Sequence, residues 1–97
     1  MRSNYRYVEW NENNIWKNEI KHNVTSEEIE QCFNKPPFII VNHKRYKDRR
    51  VLFGKTLGGR YLFTLFQHID KDTARPIHAR DMMKQERRFY EKQTKKN

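Results

Sequence analysis

The chain is poor in cysteine, glycine and proline, and it has no long apolar run. Its 97 residues include one cysteine, three glycines and three prolines. A single cysteine, Cys32, excludes an internal disulfide and a cysteine-built zinc site, and it fits a reducing compartment. No apolar stretch approaches the roughly 20 residues that span a bilayer, and the N-terminus is too polar for a signal peptide. We therefore expect a cytoplasmic protein.

The motifs of several common enzyme classes are also missing. Gly58-Gly59 lacks the spacing and the following Lys-Ser/Thr of a phosphate-binding loop. The four histidines have no metal-ligand spacing, and no serine lies in a nucleophile elbow, so we expect neither a metal nor a cofactor. His, Lys, Arg, Tyr and Glu side chains remain, and metal-independent RNA cleavage uses this set. Such cleavage needs a base for the ribose 2′-OH, cations for the phosphorane and an acid for the leaving 5′-oxygen.

The chain carries a large and unevenly distributed positive charge. Lys and Arg number 21 against 12 acidic residues, giving a formal charge of +9 and a pI near 9.9. Residues 1–40 carry 5 basic and 6 acidic groups, whereas residues 43–60 carry 7 basic groups and 1 acidic group. Clustering of this kind favours a basic surface patch that attracts a polyanion such as nucleic acid.

Two helices are predicted in the first third of the chain. Tyr5 to Trp10 has the composition of a short strand, and a helix follows from Asn11 to about His22, ended by Asn23 in the left-handed conformation. Thr25 and Glu28 form a capping box that starts the next helix, with Val24 and Ile29 in the hydrophobic-staple positions. Pro36-Pro37 stops this helix.

Strands dominate the rest of the chain. Phe38 to Val41 is a strand candidate, and the further strands are Arg50 to Lys55, Arg60 to Ile69 and Arg75 to Arg80. The strand from Arg60 to Ile69 is apolar on both faces, as a central strand should be. A final helix covers about Met82 to Lys92, and residues 93–97 fray. We expect one α+β domain over residues 1–97 in the order β-α-α-β-β-β-α, with two helices covering one face of an antiparallel sheet and the other face free for a ligand.

The segment from Ile77 to Tyr90 is the most informative for function. It joins the last strand to the last helix, and alternation along the strand puts His78 and Arg80 on one face. Arg87 and Arg88 follow on the helix, so the segment suits an anionic partner. Glu86 lies in the apolar stripe of the helix, where an unpaired charge is costly, and we expect it to pair with Arg80 or Arg87.

A series of short motifs gives the chain a family resemblance. The motifs are Glu9-Trp10, Lys21-His22-Asn23-Val24-Thr25, Glu27-Glu28, Phe33-Asn34-Lys35-Pro36-Pro37, Arg50-Val51-Leu52-Phe53-Gly54, Gly59-Arg60-Tyr61-Leu62, Ala79-Arg80 and Glu86-Arg87-Arg88-Phe89-Tyr90. In this order they resemble the BrnT family of RelE-like ribonuclease toxins of type II toxin–antitoxin systems. The resemblance implies a RelE-like α+β fold, RNA cleavage that arrests translation, and neutralisation by a BrnA-type antitoxin.

The chain departs from the family pattern at three positions. Asn23 stands where the family usually has glycine, a change that the left-handed conformation tolerates. His78 replaces a small residue such as serine, so it either adds chemistry or fills space. Met83 replaces a helix-capping threonine, which leaves Asp81 as the expected cap.

Ten residues are candidates for the site. The catalytic candidates are Arg80, His22, Lys21, Arg87, Glu86 and His78, and the RNA-binding candidates are Arg50, Arg60, Arg88 and Tyr90. Several also have a structural interpretation: His22 and Tyr90 as packed side chains, Lys21, Arg50 and Arg60 as solvated charges, and Glu86 as half of an ion pair.

The same features fit a second class of function. A basic module could hold an acidic antitoxin, or nucleic acid, without cutting it. Direct DNA binding is a weaker hypothesis, because no helix-turn-helix spacing is present and the antitoxin of the family is expected to supply that domain. Growth arrest on expression, reversed by the adjacent reading frame, distinguishes a toxin from a binding module.

Overall fold

The computed structural model describes residues 5–10 and 23–95. The elements in these ranges are β1 (Tyr7–Val8), α1 (Ser26–Asn34), β2 (Ile39–Asn42), β3 (Arg49–Lys55), β4 (Tyr61–Asp70), β5 (Thr73–Asp81) and α2 (Lys84–Thr94). The helix expected from Asn11 to His22 lies outside the described residues, as do the last two residues of the tail. None of the described helices is long and apolar enough to cross a membrane.

The strands form one mixed sheet in the order β1-β5-β4-β3-β2. β2, β3, β4 and β5 pair antiparallel with their neighbours in the chain, whereas β1 pairs parallel with β5. The α+β class is therefore confirmed, but the expected all-antiparallel sheet is wrong. The expected order is also wrong in its strand count, because the Phe38 to Val41 candidate forms β2 and four strands follow α1.

The start of α1 agrees with the prediction. The Thr25 hydroxyl accepts a hydrogen bond from the Glu28 N–H at 3.1 Å, and the Glu28 carboxylate accepts one from the Thr25 N–H at 3.0 Å. Val24 and Ile29, on either side of the cap, are both fully buried in the core between α1 and the sheet. Asn23 has the expected positive φ, 53°.

α1 approaches β3 closely at a glycine. A Cβ atom on Gly54 would lie 2.9 Å from Cys32 Cβ and 3.3 Å from the Cys32 carbonyl oxygen. Leu52, two residues earlier on the same face, is fully buried, as are Cys32 and Phe33 of the helix. Burial raises the pKa of the Cys32 thiol to about 12, so this side chain acts as a small apolar core residue.

The opposite face of the sheet is only partly covered. Alternation along the strands and their register place a second set of side chains on it, and we call this surface the distal face. Its members are Arg49, Val51, Phe53 and Lys55 of β3, Tyr61, Phe63, Leu65 and Gln67 of β4, and Arg75, His78 and Arg80 of β5. As predicted, β4 is apolar on both faces, since Leu62 and Phe66 are fully buried on the α1 side.

α2 crosses part of the distal face, so the expectation that this face is left free is wrong. Phe89 contacts Phe53 edge-on at 5.6 Å, and Tyr90 contacts Tyr61 at 5.8 Å. The helix starts at Lys84 rather than Met82, because the Met82 N–H still donates to the Tyr61 carbonyl and extends the sheet. The half of the face with Arg49, Gln67, Arg75, Leu65 and His78 lies beyond these contacts.

Candidate functional site

Arg80 is fixed at the junction of β5 and α2. Its Nη1 and Nη2 donate to the two carboxylate oxygens of Glu86 at 2.8 and 3.0 Å, and Nη1 also donates to the Asp81 carbonyl at 3.0 Å. The guanidinium lies 3.9 Å from the centroid of the Phe63 ring. Such contacts hold a planar cation in one orientation. Arginine has five N–H donors, and the other two on Arg80 have no partner among the described residues.

Glu86 pairs with an arginine, as predicted, and of the two expected partners, Arg80 and Arg87, the partner is Arg80. The Glu86 side chain is only 17% exposed, and one of its oxygens also accepts the Met83 N–H at 2.8 Å, at the start of α2. The hydrogen bonds from Arg80 hold the pKa of this carboxyl below its usual value, with burial acting in the opposite direction. Glu86 is therefore an anion that orients Arg80 and caps the helix.

Asp81 does not cap α2, contrary to our expectation. It is the last residue of β5, and its carboxylate accepts hydrogen bonds from Arg60 Nε at 2.6 Å and Nη2 at 3.3 Å. These bonds hold the pKa of the Asp81 carboxyl below its usual value. Glu86 supplies the cap because it lies at the third position of the helix, where a carboxylate reaches back to the capping N–H.

His78 lies on the same face as Arg80, as the alternation predicts. It pairs with Leu65 across the strands, while Arg80 pairs with Phe63, so the two side chains are neighbours along one edge of the distal face. The register shifts between Leu65 and Phe66, and Ile77 is the additional residue of this bulge. His78 is partly exposed.

Arg87 and Arg88 are both exposed on α2, in different settings. The Arg87 guanidinium lies 4.0 Å from the centroid of the Tyr61 ring, and its Nε is 4.0 Å from the Glu91 carboxylate. Tyr61 donates its hydroxyl hydrogen to the same carboxylate at 2.8 Å. Arg87 thus borders the Arg80 region, while Arg88 projects from an exposed position of the helix.

The structure places Arg50 on the opposite side of the sheet from Arg80. Its Nη1 donates to the Tyr5 hydroxyl at 2.6 Å, and that hydroxyl lies 2.8 Å from His68 Nδ1. Tyr5 is 3% exposed and belongs to the core under α1. A phosphate at Arg80 and one at Arg50 would therefore lie on different faces.

Arg60 forms a network that ties α1 to β5. Besides Asp81, its guanidinium donates to the Glu28 carboxylate at 3.1 Å and to the Asn23 carbonyl at 2.8 Å. Hydrogen bonding to Asp81 raises the pKa of Arg60 further, so its charge is permanent but already compensated. This geometry is that of a structural ion pair.

Tyr90 is a buried residue, 3% exposed, and its hydroxyl donates to the Pro37 carbonyl at 2.7 Å. This bond joins α2 to the segment before β2. Burial raises the pKa of the Tyr90 hydroxyl, which therefore stays protonated. Lys21 and His22, the other two candidates, lie outside the described residues.

Three residues of the distal face were not predicted. Arg49 and Arg75 flank Gln67 across the strands, and Arg75 donates to Gln67 at 3.3 Å and to Glu9 at 2.6 Å. The signal for Arg49 was its alternation with Val51 and Phe53, but the other parity, Arg50 with Leu52, looks the same in sequence.

In the described part of the chain, no group of three or more His, Cys, Asp or Glu side chains could hold a metal.

The comparison with known families agrees with the sequence motifs. A family model described as "Ribonuclease toxin, BrnT, of type II toxin-antitoxin system" matches residues 10–86, which is most of the chain. No curated protein matches the chain. The matched range includes the distal face, Arg80 and Glu86.

Proposed function

Because the chain belongs to the BrnT family of ribonuclease toxins of type II toxin–antitoxin systems, we propose that it cleaves RNA without a metal at the Arg80 end of the distal face. Membership of this family implies an antitoxin partner. The proposal specifies a BrnA-type antitoxin and a cytoplasmic reaction that arrests translation. The observation that carries it is the Arg80–Glu86 pair, held over Phe63 with His78 beside it.

The proposed reaction uses the ribose 2′-hydroxyl of the RNA itself as the nucleophile. The ribose 2′-oxygen attacks the adjacent phosphorus, the bond from phosphorus to the 5′-oxygen breaks, and the 2′ proton leaves with a base while the 5′-oxygen gains one from an acid. Arg80 is assigned to the phosphate, since its two remaining N–H donors meet the charge that grows on the phosphorane. Glu86 is a positioning residue, because it acts through Arg80.

The proton transfers are assigned to histidine. His78 lies on the face of Arg80, and the two ring nitrogens of an imidazole can accept one proton and donate another. His22 and Lys21 keep their assignment from the sequence, and Arg87 and Arg88 contribute positive potential from α2. Arg50, Arg60 and Tyr90 are left out of the reaction, because their hydrogen-bonding groups serve contacts in the core and between elements.

The test uses protein that is co-expressed with its antitoxin, unfolded to release the partner, purified and refolded, since free toxin would arrest translation in the producing cells. Wild type, Arg80→Ala and His78→Ala are each incubated with RNA in EDTA, with and without ribosomes. We expect cleavage by wild type, a loss of about 100-fold or more for Arg80→Ala, and a loss of about 100-fold for His78→Ala. The matched control is Arg6→Ala, which removes an exposed arginine near β1 and should cleave normally.

Two results would overturn this proposal. One is RNA that stays intact with wild type in every sample, and the other is undiminished cleavage by Arg80→Ala. Cleavage that stops in EDTA and returns with a divalent metal would refute the metal-independent mechanism alone. If Arg80→Ala has lost the helix and strand signals in circular dichroism, Arg80→Lys replaces it, because lysine keeps the charge but loses the bidentate geometry.

One observation favours a second function, a binding module that does not cut. Three of the N–H donors of Arg80 are already used within the protein, and its charge is balanced by Glu86. An arginine held in this way can also serve as a rigid contact for an antitoxin. Cells that grow normally on expression of the chain alone, combined with tight antitoxin binding, would support this function.

A further inference from the structure

The loop between β2 and β3 concentrates positive charge and an exposed aromatic ring. The loop covers residues 43–48 and has three basic side chains, Lys44, Arg45 and Lys47, against one acidic side chain, Asp48, and Arg49 follows as the first residue of β3. Lys44, Arg45 and Lys47 are exposed, and Tyr46 is 46% exposed among them. The proposed reaction at Arg80 uses none of these residues.

Hydrogen bonds hold this loop in one conformation. His43 Nδ1 accepts the N–H groups of Arg45 and Tyr46 at 3.0 and 3.2 Å, and Arg49 N–H donates to the Tyr46 carbonyl at 3.2 Å. Asp48 is tied to β4 twice, by its carbonyl to the His68 N–H at 2.6 Å and by its carboxylate to Gln67 at 2.8 Å. A loop that is already ordered loses little conformational entropy when a ligand binds.

The Tyr46 ring is supported from within the protein. The Arg49 guanidinium lies 4.6 Å from the ring centroid, and the His43 ring lies 5.3 Å away at an angle of 43°. With nearly half of Tyr46 exposed, the ring offers a surface on which a planar group can stack. Nucleic acid bases stack on such rings whatever their sequence, because every base has a π face.

Tyr46 contacts Arg49, which lies on the same face of the sheet as Arg80. Arg49 belongs to the distal face and pairs with Gln67, while Arg80 pairs with Phe63, four residues earlier on β4. At about 3.3 Å per residue and about 4.8 Å per strand, the two arginines are separated by about 13 Å along the strands and about 10 Å across them. The part of the distal face between the two arginines carries four side chains: Gln67, Leu65, Arg75 and His78. Three of these side chains are polar or cationic.

We infer that Tyr46 is a stacking platform for a base of single-stranded RNA, at a distance of a few nucleotides from the phosphate that Arg80 binds, an inference that rests on the proposed function. Lys44, Arg45 and Lys47 surround the platform and neutralise the phosphates on either side of the stacked base. An unpaired strand is required, because a base within a duplex has its faces covered by its neighbours. The loop thus extends the binding site along the distal face without taking part in bond cleavage.

The experiment measures binding separately from cleavage. A short, fluorescently labelled RNA with 2′-O-methyl riboses lacks the attacking hydroxyl, so its affinity is measured by anisotropy at fixed salt. Tyr46→Ala should weaken binding by about 5- to 150-fold, the range expected for loss of one base–aromatic stack. Tyr46→Phe keeps the ring and should bind as wild type does.

The matched control is Tyr7→Ala, which removes a tyrosine that is 61% exposed in β1, at the other edge of the sheet. Its affinity should equal that of wild type. Unchanged affinity in Tyr46→Ala, or equal losses in Tyr46→Ala and Tyr46→Phe, would overturn the inference. Weaker antitoxin binding in Tyr46→Ala with unchanged RNA binding would also overturn it and assign the loop to the antitoxin.

Failure of this inference is distinguishable from failure of the proposed function. If wild type cleaves RNA and Tyr46→Ala binds the methylated strand normally, only the stacking platform is refuted. If wild type binds the methylated strand through Tyr46 but cleaves no RNA, the platform stands and the reaction at Arg80 is refuted.

Discussion

Glu86 serves two neighbouring elements with one carboxylate. It accepts both hydrogen bonds from Arg80 of β5, and it accepts the Met83 N–H at the first turn of α2. A negative charge at this end of a helix is also favourable to the helix dipole. The same side chain therefore fixes the orientation of the proposed phosphate-binding arginine and the start of the helix beside it.

The Arg80–Glu86 pair should make stability depend on pH in the acid range. The pKa of Glu86 is lower in the folded chain than its ordinary value of 4.5, first because of the Arg80 hydrogen bonds. Its contribution to the free energy of unfolding is therefore complete above the ordinary pKa and is lost as pH falls through the lower folded pKa. Glu86→Gln should cost about 1 kcal/mol near neutral pH, and its stability should fall less steeply below about pH 5.

Urea denaturation at a series of pH values measures both effects. The control is Glu91→Gln, since Glu91 lies on the exposed surface of the same helix, 4.0 Å from Arg87. Glutamine keeps an oxygen that can accept the Tyr61 hydroxyl, so loss of the charge alone should change stability little. Identical pH slopes for wild type and Glu86→Gln would contradict the role of this carboxylate. In the cleavage assay, Glu86→Gln should lower activity without abolishing it, because Arg80 remains but loses its fixed orientation.

The residues of the site differ in how well sequence predicts them. The pairing of Glu86 with an arginine followed from one physical rule, that a carboxylate in an apolar stripe needs a partner, but this rule did not choose between Arg80 and Arg87. The orientations of Arg50 and Arg60 did not follow from any such rule. In β3 both parities combine an arginine with apolar residues, so alternation alone cannot tell which arginine faces α1. The partners of Arg60 come from three separate places: β5, α1 and the residue Asn23 before α1.

At the scale of the elements, sequence motifs predicted the bounds of a helix where the residues that stabilise its ends are close in the chain. α1 begins at its capping box and ends before Pro36-Pro37, as predicted. The parallel pairing of β1 with β5 joins Tyr7 to Thr73, residues far apart in the chain, and only packing of the whole sheet specifies it. The bulge at Ile77 appears only in the pairing of β4 with β5, next to Pro76, which has no N–H to donate to the ladder.

The packing of α1 on β3 gives an element-scale prediction. Gly54→Ala should lower the free energy of unfolding by about 1 to 3 kcal/mol, because the new Cβ would lie 2.9 Å from Cys32 Cβ and must displace the helix. This loss outweighs the gain of about 0.5 to 1 kcal/mol that alanine usually brings to a strand in place of glycine. Urea or thermal denaturation provides the measurement.

Gly58 is the matched control for Gly54. A Cβ there would have only the Thr56 hydroxyl within 4 Å, at 3.8 Å, and the residue is exposed in the turn between β3 and β4. Gly58→Ala should therefore leave stability within about 0.5 kcal/mol of wild type. Equal stabilities of the two variants would mean that α1 and β3 are less closely packed than the distances indicate.

At the scale of the whole molecule, the basic residues behind the charge of +9 include both cations held in ion pairs and exposed cations. Arg60 and Arg80 are paired with carboxylates, and both pairs hold elements together. The lysines of the β2–β3 loop are exposed, and no ion pair involves them within residues 5–10 and 23–95. The net charge and the cluster of basic residues at 43–60 can be counted in the sequence. Which cations are held in structural ion pairs and which are available to bind phosphates can be seen only in the fold.

That division predicts which charges control the salt dependence of RNA binding. The logarithm of the affinity for a single strand falls with the logarithm of salt concentration, with a slope of about −0.7 per phosphate contact. Lys44→Ala and Lys47→Ala should each reduce the magnitude of this slope by about 0.7, because each removes one available contact. Lys92→Ala, an exposed lysine in the last turn of α2 away from the loop, should leave the slope unchanged. Anisotropy titrations of the methylated strand at several salt concentrations give the four slopes. Equal slopes for all four proteins would mean that the loop lysines contact no phosphate, and the RNA would then have to be held by the arginines of the distal face.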